Sequence, residues 1–168
     1  MNLKLLIHAF ACLLVIPAMA EEPLPKDAIK NITISVQGYE LSQRDPLVAQ
    51  VQAPQADAKA SLQKLTALAV RSQAKVVAIA SLNTKSGQRA VTGDGANRLE
   101  IEPTIGVDGK QIEMSGNFKH GLQNLPFKST TAFGGTVFLG VLNNGGKGTV
   151  ELVFARISAQ LTLSKAAP

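Results

Sequence analysis

From Leu99 to Phe118 apolar and polar residues alternate on either side of a single turn, and the two arms match. Asp108-Gly109 is a hairpin signal, because a two-residue type I′ turn needs positive φ at both central positions and Asp followed by Gly accepts it. Val107 then faces Lys110. Counting outward pairs Ile105 with Ile112, Pro103 with Met114, Ile101 with Gly116 and Leu99 with Phe118 on one face. The other face is polar, with Gly106 opposite Gln111, Thr104 opposite Glu113, Glu102 opposite Ser115 and Glu100 opposite Asn117. A slip of one residue would turn the whole apolar set outward, so pattern and turn agree on the register. A two-stranded ribbon with one oily face is marginal in water by itself, so the rest of the chain must cover it.

The same alternation marks Asn31 to Tyr39 as a strand, with Ile32, Ile34 and Val36 set against Thr33, Ser35 and Gln37. Leu47 to Pro54 is apolar between two prolines and fits an edge strand or a linker. Ala58 to Gln73 contains neither Gly nor Pro, follows the N-cap residue Asp57, and repeats Leu62, Leu65, Leu68 and Ala69 at helical spacing. It is the one helix expected, with Lys59, Lys64 and Arg71 toward solvent. Lys75 to Leu82 reads as a buried strand, Gln88 to Val91 as a short one, and Thr92-Gly93-Asp94-Gly95 as a tight connection. Lys119 to Pro126 reads as a loop and Phe127 to Phe133 as a strand with both Phe on one face. Thr136 to Leu142 is apolar on both faces and, after the Gly-rich loop Asn143 to Gly148, Thr149 to Leu163 returns with apolar residues on both sides. Such a hairpin needs cover on each face, either in the middle of a sheet or against a neighbouring subunit. These elements predict an α+β, mainly β fold: antiparallel sheets, as a sandwich or partial barrel, with one amphipathic helix.

Residues 1–20 stand apart from this pattern. Lys4, the apolar run Leu5 to Ile16 and the small-residue site Ala18-Met19-Ala20 read as a secretory signal peptide cut after Ala20. The run is too short to cross a bilayer, which takes about 20 apolar residues, and no transmembrane helix is expected in the mature chain. The expected organisation is a signal peptide at 1–20, an extended segment with one strand at 21–56, a β domain with its helix at 57–163 and a tail at 164–168. Cys12 is the one cysteine and lies in the leader, so the mature chain has no disulfide and must be stabilised by burial. The formal net charge of +5 is spread along the chain, and with one Tyr and no Trp to stack bases the composition argues against nucleic acid as a partner.

Chemistry is sparse. His120, the single histidine after the leader, is expected exposed in a loop, and without Cys it cannot build a zinc site. No Gly-x-Ser-x-Gly elbow accompanies it, and no phosphate or calcium loop follows Gly93-Asp94-Gly95. Glu100, Glu102 and Glu113 share the polar face of the hairpin and are expected to be solvated, with Lys or Arg of an adjacent strand as neighbours. No catalytic residue, metal or cofactor is assigned.

With the elements in order, the chain resembles the core domain of bacterial secretins, the ring-forming outer-membrane channels of type II and type III secretion and of type IV pili. The matching residues are Ala74-Lys75-Val76 after the helix, Thr84, Gly87-Gln88 and Ala90, then Leu99-Glu100-Ile101-Glu102-Pro103 with Gly109. They continue with Gly134-Gly135-Thr136 leading into Leu139-Gly140-Val141-Leu142, and Glu151-Leu152-Val153-Phe154. The family's strand proline is replaced by Ala80, and only Val91 to Arg98 stands where secretins carry the gate hairpin. The resemblance implies an exported, non-enzymatic structural or assembly protein, periplasmic or associated with the outer membrane, as a homo-oligomer or a secretion or pilus component. Self-association is expected through the two-sided hairpin, at Val137, Phe138, Leu139, Val141, Leu152, Val153 and Phe154. The alternative is a free-standing periplasmic β-domain that binds a peptide or small ligand.

Overall fold

The computed structural model describes residues 29–144 and 147–161; the expected signal peptide, the first residues (21–28) of the extended segment and the tail at 164–168 lie outside the described residues. Eight strands and two helices follow in order: β1 (Ile29–Ser42), α1 (Pro46–Gln52), α2 (Ala58–Val70), β2 (Lys75–Thr84), β3 (Ala90–Gly93), β4 (Asn97–Ile105), β5 (Gln111–His120), β6 (Gln123–Ala132), β7 (Thr136–Asn144) and β8 (Thr149–Leu161). They form two four-stranded sheets, β2-β1-β8-β7 and β3-β4-β5-β6. Every pairing is antiparallel.

Alternation along the strands builds two cores. Ile32, Ile34 and Val36 of β1 with Val153, Ala155 and Ile157 of β8 face Leu99 and Ile101 of β4 and Ile112, Met114 and Phe118 of β5. On the outer side of the first sheet Tyr39, Leu41, Val150, Leu152 and Phe154 pack on Leu47, Val48 and Val51 of α1 and Leu65 of α2. The layers are therefore helices, first sheet, second sheet. β8 lies between β1 and β7 and is buried on both faces, as its unbroken apolar run requires.

The hairpin register is the expected one from Leu99↔Phe118 to Ile105↔Ile112. Its turn differs. Gly109 has a φ of 68°, but Asp108 is not among the described residues with positive φ, so the type I′ turn does not form. Instead the Gly106 carbonyl accepts from the Gly109 N–H at 3.0 Å, and Asp108 Oδ1 accepts from the Lys110 N–H at 2.9 Å. The side chain of Asp108 stabilises a negative φ at its own position and leaves the left-handed residue to glycine.

Two further expectations need correction. Leu47 to Pro54 is neither strand nor linker but mostly the helix α1, making two helices rather than one: Pro46 sits in its first turn and Asp45 Oδ1 caps the Leu47 N–H at 2.8 Å. Proline fits the first helical turn because it has no N–H to lose there. The loop expected at Lys119 to Pro126 is instead the end of β5, a two-residue turn at Gly121-Leu122 and the start of β6. Pro126 stands opposite Asn117 on an edge strand, where a missing donor costs no ladder bond. Within the first sheet β1 is inserted between β2 and β8.

Candidate functional site

The seven hairpin residues are brought together, and most of their area is used inside the chain. Leu152, Val153 and Phe154 are buried, Val137 joins the core between the sheets, and Leu139 packs against that core. Phe138 and Val141 lie against the helix-side core, the Phe138 and Phe154 rings meeting at 5.3 Å and a tilt of 52°. What β7 leaves without a strand partner is its outer backbone edge, because β8 is the one strand paired with it among the described residues. The pairing slips between Phe138 and Gly140, where Gly140 adopts a φ of 151° and a Cβ would lie 2.7 Å from Leu125 Cδ1 of β6. Only glycine meets both demands.

The second feature was missed in sequence. His120 is not exposed in a loop: it ends β5, its side chain is 26% exposed, and Nδ1 lies 2.5 Å from Glu151 Oε2. Glu151 has no exposed surface and takes an inward position on β8, in phase with Val153 and Ala155. Gly38 makes the space for it, since a Cβ there would fall 1.8 Å from Glu151 Oε1. That oxygen has no hydrogen-bond partner. Burial pushes the Glu151 carboxyl above the usual carboxylate range, His120 pulls it back, and Glu40 adds to the push. Glu40 in turn accepts from Thr149 Oγ1 at 3.0 Å and lies 4.0 Å from Lys75 Nζ. The signal was available, because a carboxylate at a core-facing position of an apolar strand must find a partner.

This polar end fastens one sheet to the other. A recess of about 340 Å³ beside it is lined in part by Glu40, Lys75, His120, Asn144 and Lys147. Among the described residues no group of three or more His, Cys, Asp or Glu is placed to hold a metal ion. Of the carboxylates on the hairpin's polar face, Glu100 pairs with Arg89, just before β3, and, at 3.6 Å, with Arg98 of its own strand, while Glu102 and Glu113 are exposed. Asp94 closes its turn by accepting from the Ala96 and Asn97 N–H groups at 2.9 and 2.6 Å, and those bonds hold its carboxyl below the usual range. Among the described residues no helix is long and apolar enough to cross a membrane.

No family model matches this sequence, and no curated protein matches it. Among solved structures the chain is similar to the secretin-domain β-barrel of InvG from the Salmonella SPI-1 injectisome, at 12% identity and a TM-score of 0.46, over 82% of this chain and 65% of that one. It is also similar to ExeD of Aeromonas hydrophila, at 11% identity and a TM-score of 0.37, over 79% of this chain and 48% of that one. A further InvG structure, with the gate open, gives 9% identity and a TM-score of 0.39. The chain thus spans less than two thirds of the InvG domain and about half of ExeD.

Proposed function

We propose that this protein is an exported, non-catalytic structural or assembly component of the bacterial cell envelope that self-associates through the β7–β8 hairpin. The observation that carries this reading is the order of secretin-like motifs, from Ala74-Lys75-Val76 to Glu151-Leu152-Val153-Phe154, along a domain that leaves one edge of β7 unpaired. An unpaired, uncharged strand edge is a template for another strand. Leu152, Val153 and Phe154 support β7 from behind, and Val137, Phe138, Leu139 and Val141 set the shape of the edge. Sedimentation and in-cell crosslinking test the reading: assemblies of at least two chains, or capture of an envelope component, are expected. A strict monomer at every concentration with no envelope partner would overturn it.

A second reading is favoured by a groove of about 690 Å³ between α2 and the first sheet, bounded in part by Leu62, Ala67, Val70 and Phe154. Val70 is 82% exposed beside it. A free-standing domain could bind a peptide or small apolar ligand there. Val70→Asp would then abolish ligand binding while leaving the oligomeric state unchanged.

A further inference from the structure

The edge of β7 is unpaired by backbone, yet at one point it is filled. Gln123, the first residue of β6, donates from Nε2 to the Asn143 carbonyl at 2.5 Å and accepts at Oε1 from the Asn143 N–H at 2.9 Å. A primary carboxamide offers one donor and one acceptor side by side, as a peptide group does. Gln123 therefore presents to β7 what a neighbouring strand would present. Both backbone groups of Asn143 point away from β8 and, two residues earlier on the same edge, those of Val141 do so too. No backbone ladder joins β6 to β7, which belong to different sheets. The seam is held by side chains, with Gln123 on Asn143 and Leu125 against Gly140.

The protection of the other edges is different in kind. β6 carries Pro126 and Lys128, β2 carries Lys75, and β3 is only four residues long. Prolines, lysines and short strands are the usual devices against strand addition. β7, Thr136–Asn144, has nine residues and no charge. Antiparallel pairing of β7 with itself would bring no like charges together, so the strand is compatible with its own copy.

We propose that Gln123 is a latch on this edge, and that its release lets β7 of a second copy add antiparallel where the carboxamide now sits. The proposal rests on the self-association reading above and names what controls it. Gln123→Ala leaves Asn143 without its two partners and opens the seam. The dimerisation constant is expected to tighten about tenfold relative to wild type, the scale of two released hydrogen bonds.

Sedimentation velocity of the purified wild-type and Gln123→Ala proteins over a concentration series measures this ratio, with circular dichroism to check that the β-content is unchanged. Amide exchange supplies a second readout. Asn143 is protected in wild-type monomer, exchanges faster in dilute Gln123→Ala protein, and regains protection as that variant dimerises. Adding Val141→Pro, which removes a donor from the same edge, reverses the gain. Equal association constants for wild type and Gln123→Ala would overturn the latch while leaving self-association standing, since the wild-type value alone tests that reading. An associating Gln123→Ala protein whose Asn143 amide stays unprotected would also overturn it, because the contact would then lie elsewhere.

Discussion

Glu151 stands where the alternation of β8 would otherwise place an apolar side chain, and its environment is built around it by Gly38 and His120. Its carboxyl titrates above the ordinary value of 4.5 because burial disfavours the charged form. The folded chain therefore holds this proton more tightly than the unfolded chain. Its contribution to stability is complete below the ordinary value and is lost as pH rises through the raised one. Urea denaturation from about pH 4 to pH 8 should show this loss in wild type and a flatter profile in Glu151→Gln. Removing the partner has the same sign. His120→Ala leaves a buried carboxyl without its hydrogen bond, at a cost of about 3–5 kcal/mol near neutral pH that shrinks in acid as the carboxyl takes up its proton. Gly38→Ala drives a methyl group into Glu151 Oε1 and should cost about 1–3 kcal/mol by the same denaturation assay. None of this was legible from His120 alone, because Lys119 and Gly121 describe its chain neighbours and Glu151 is its partner only through packing.

At the scale of elements, legibility followed the strength of local signals. The register of β4 and β5 could be read because two matched alternating arms leave one pairing that buries all the apolar residues together. The helix α2 could be read because Asp57 caps it, accepting from the Lys59 and Ala60 N–H groups at 2.8 and 3.0 Å, and because its leucine stripe has helical period. Asp57→Ala should cost about 1 kcal/mol, and Leu65→Ala, at a site with no exposed surface, about 2–5 kcal/mol, both from denaturation midpoints. α1 and β6 both contain a proline that a local pattern does not place, Pro46 and Pro126. Proline in a first helical turn or on an edge strand loses no backbone bond, and which case applies depends on neighbours distant in sequence. The turn at Asp108-Gly109 differs in type from the expected one while the register holds, because burial of the hairpin's apolar face constrains the pairing more strongly than the loop does.

At the scale of the whole molecule, the two sheets and the helices use the apolar faces of β7 and β8 within the chain, so what is left for association is a backbone edge. Contact through an uncharged strand should depend little on ionic strength. The sedimentation of any assembly formed at β7 is expected to change little between about 0.05 and 0.5 M salt, whereas contact through the scattered lysines would weaken. The motif order that supports a secretin-like reading is a property of the sequence. Where the motifs end up is not: the Glu of the Glu151-Leu152 strand turns inward to His120, and the Gly-Gly-Thr segment leads into the free edge.

The sequence by itself determined the strands with clean alternation, the helix α2 and the central hairpin's register, since these follow from periodicity and burial acting over a few residues. Only the tertiary structure decided that β1 lies between β2 and β8, that His120 meets Glu151, and that Gln123 occupies the edge of β7. Those pairings join residues about 20 to more than 100 positions apart, within one sheet for β1 and between the two sheets for the side chains, and a local pattern carries no record of which distant partner a strand or a polar side chain will find.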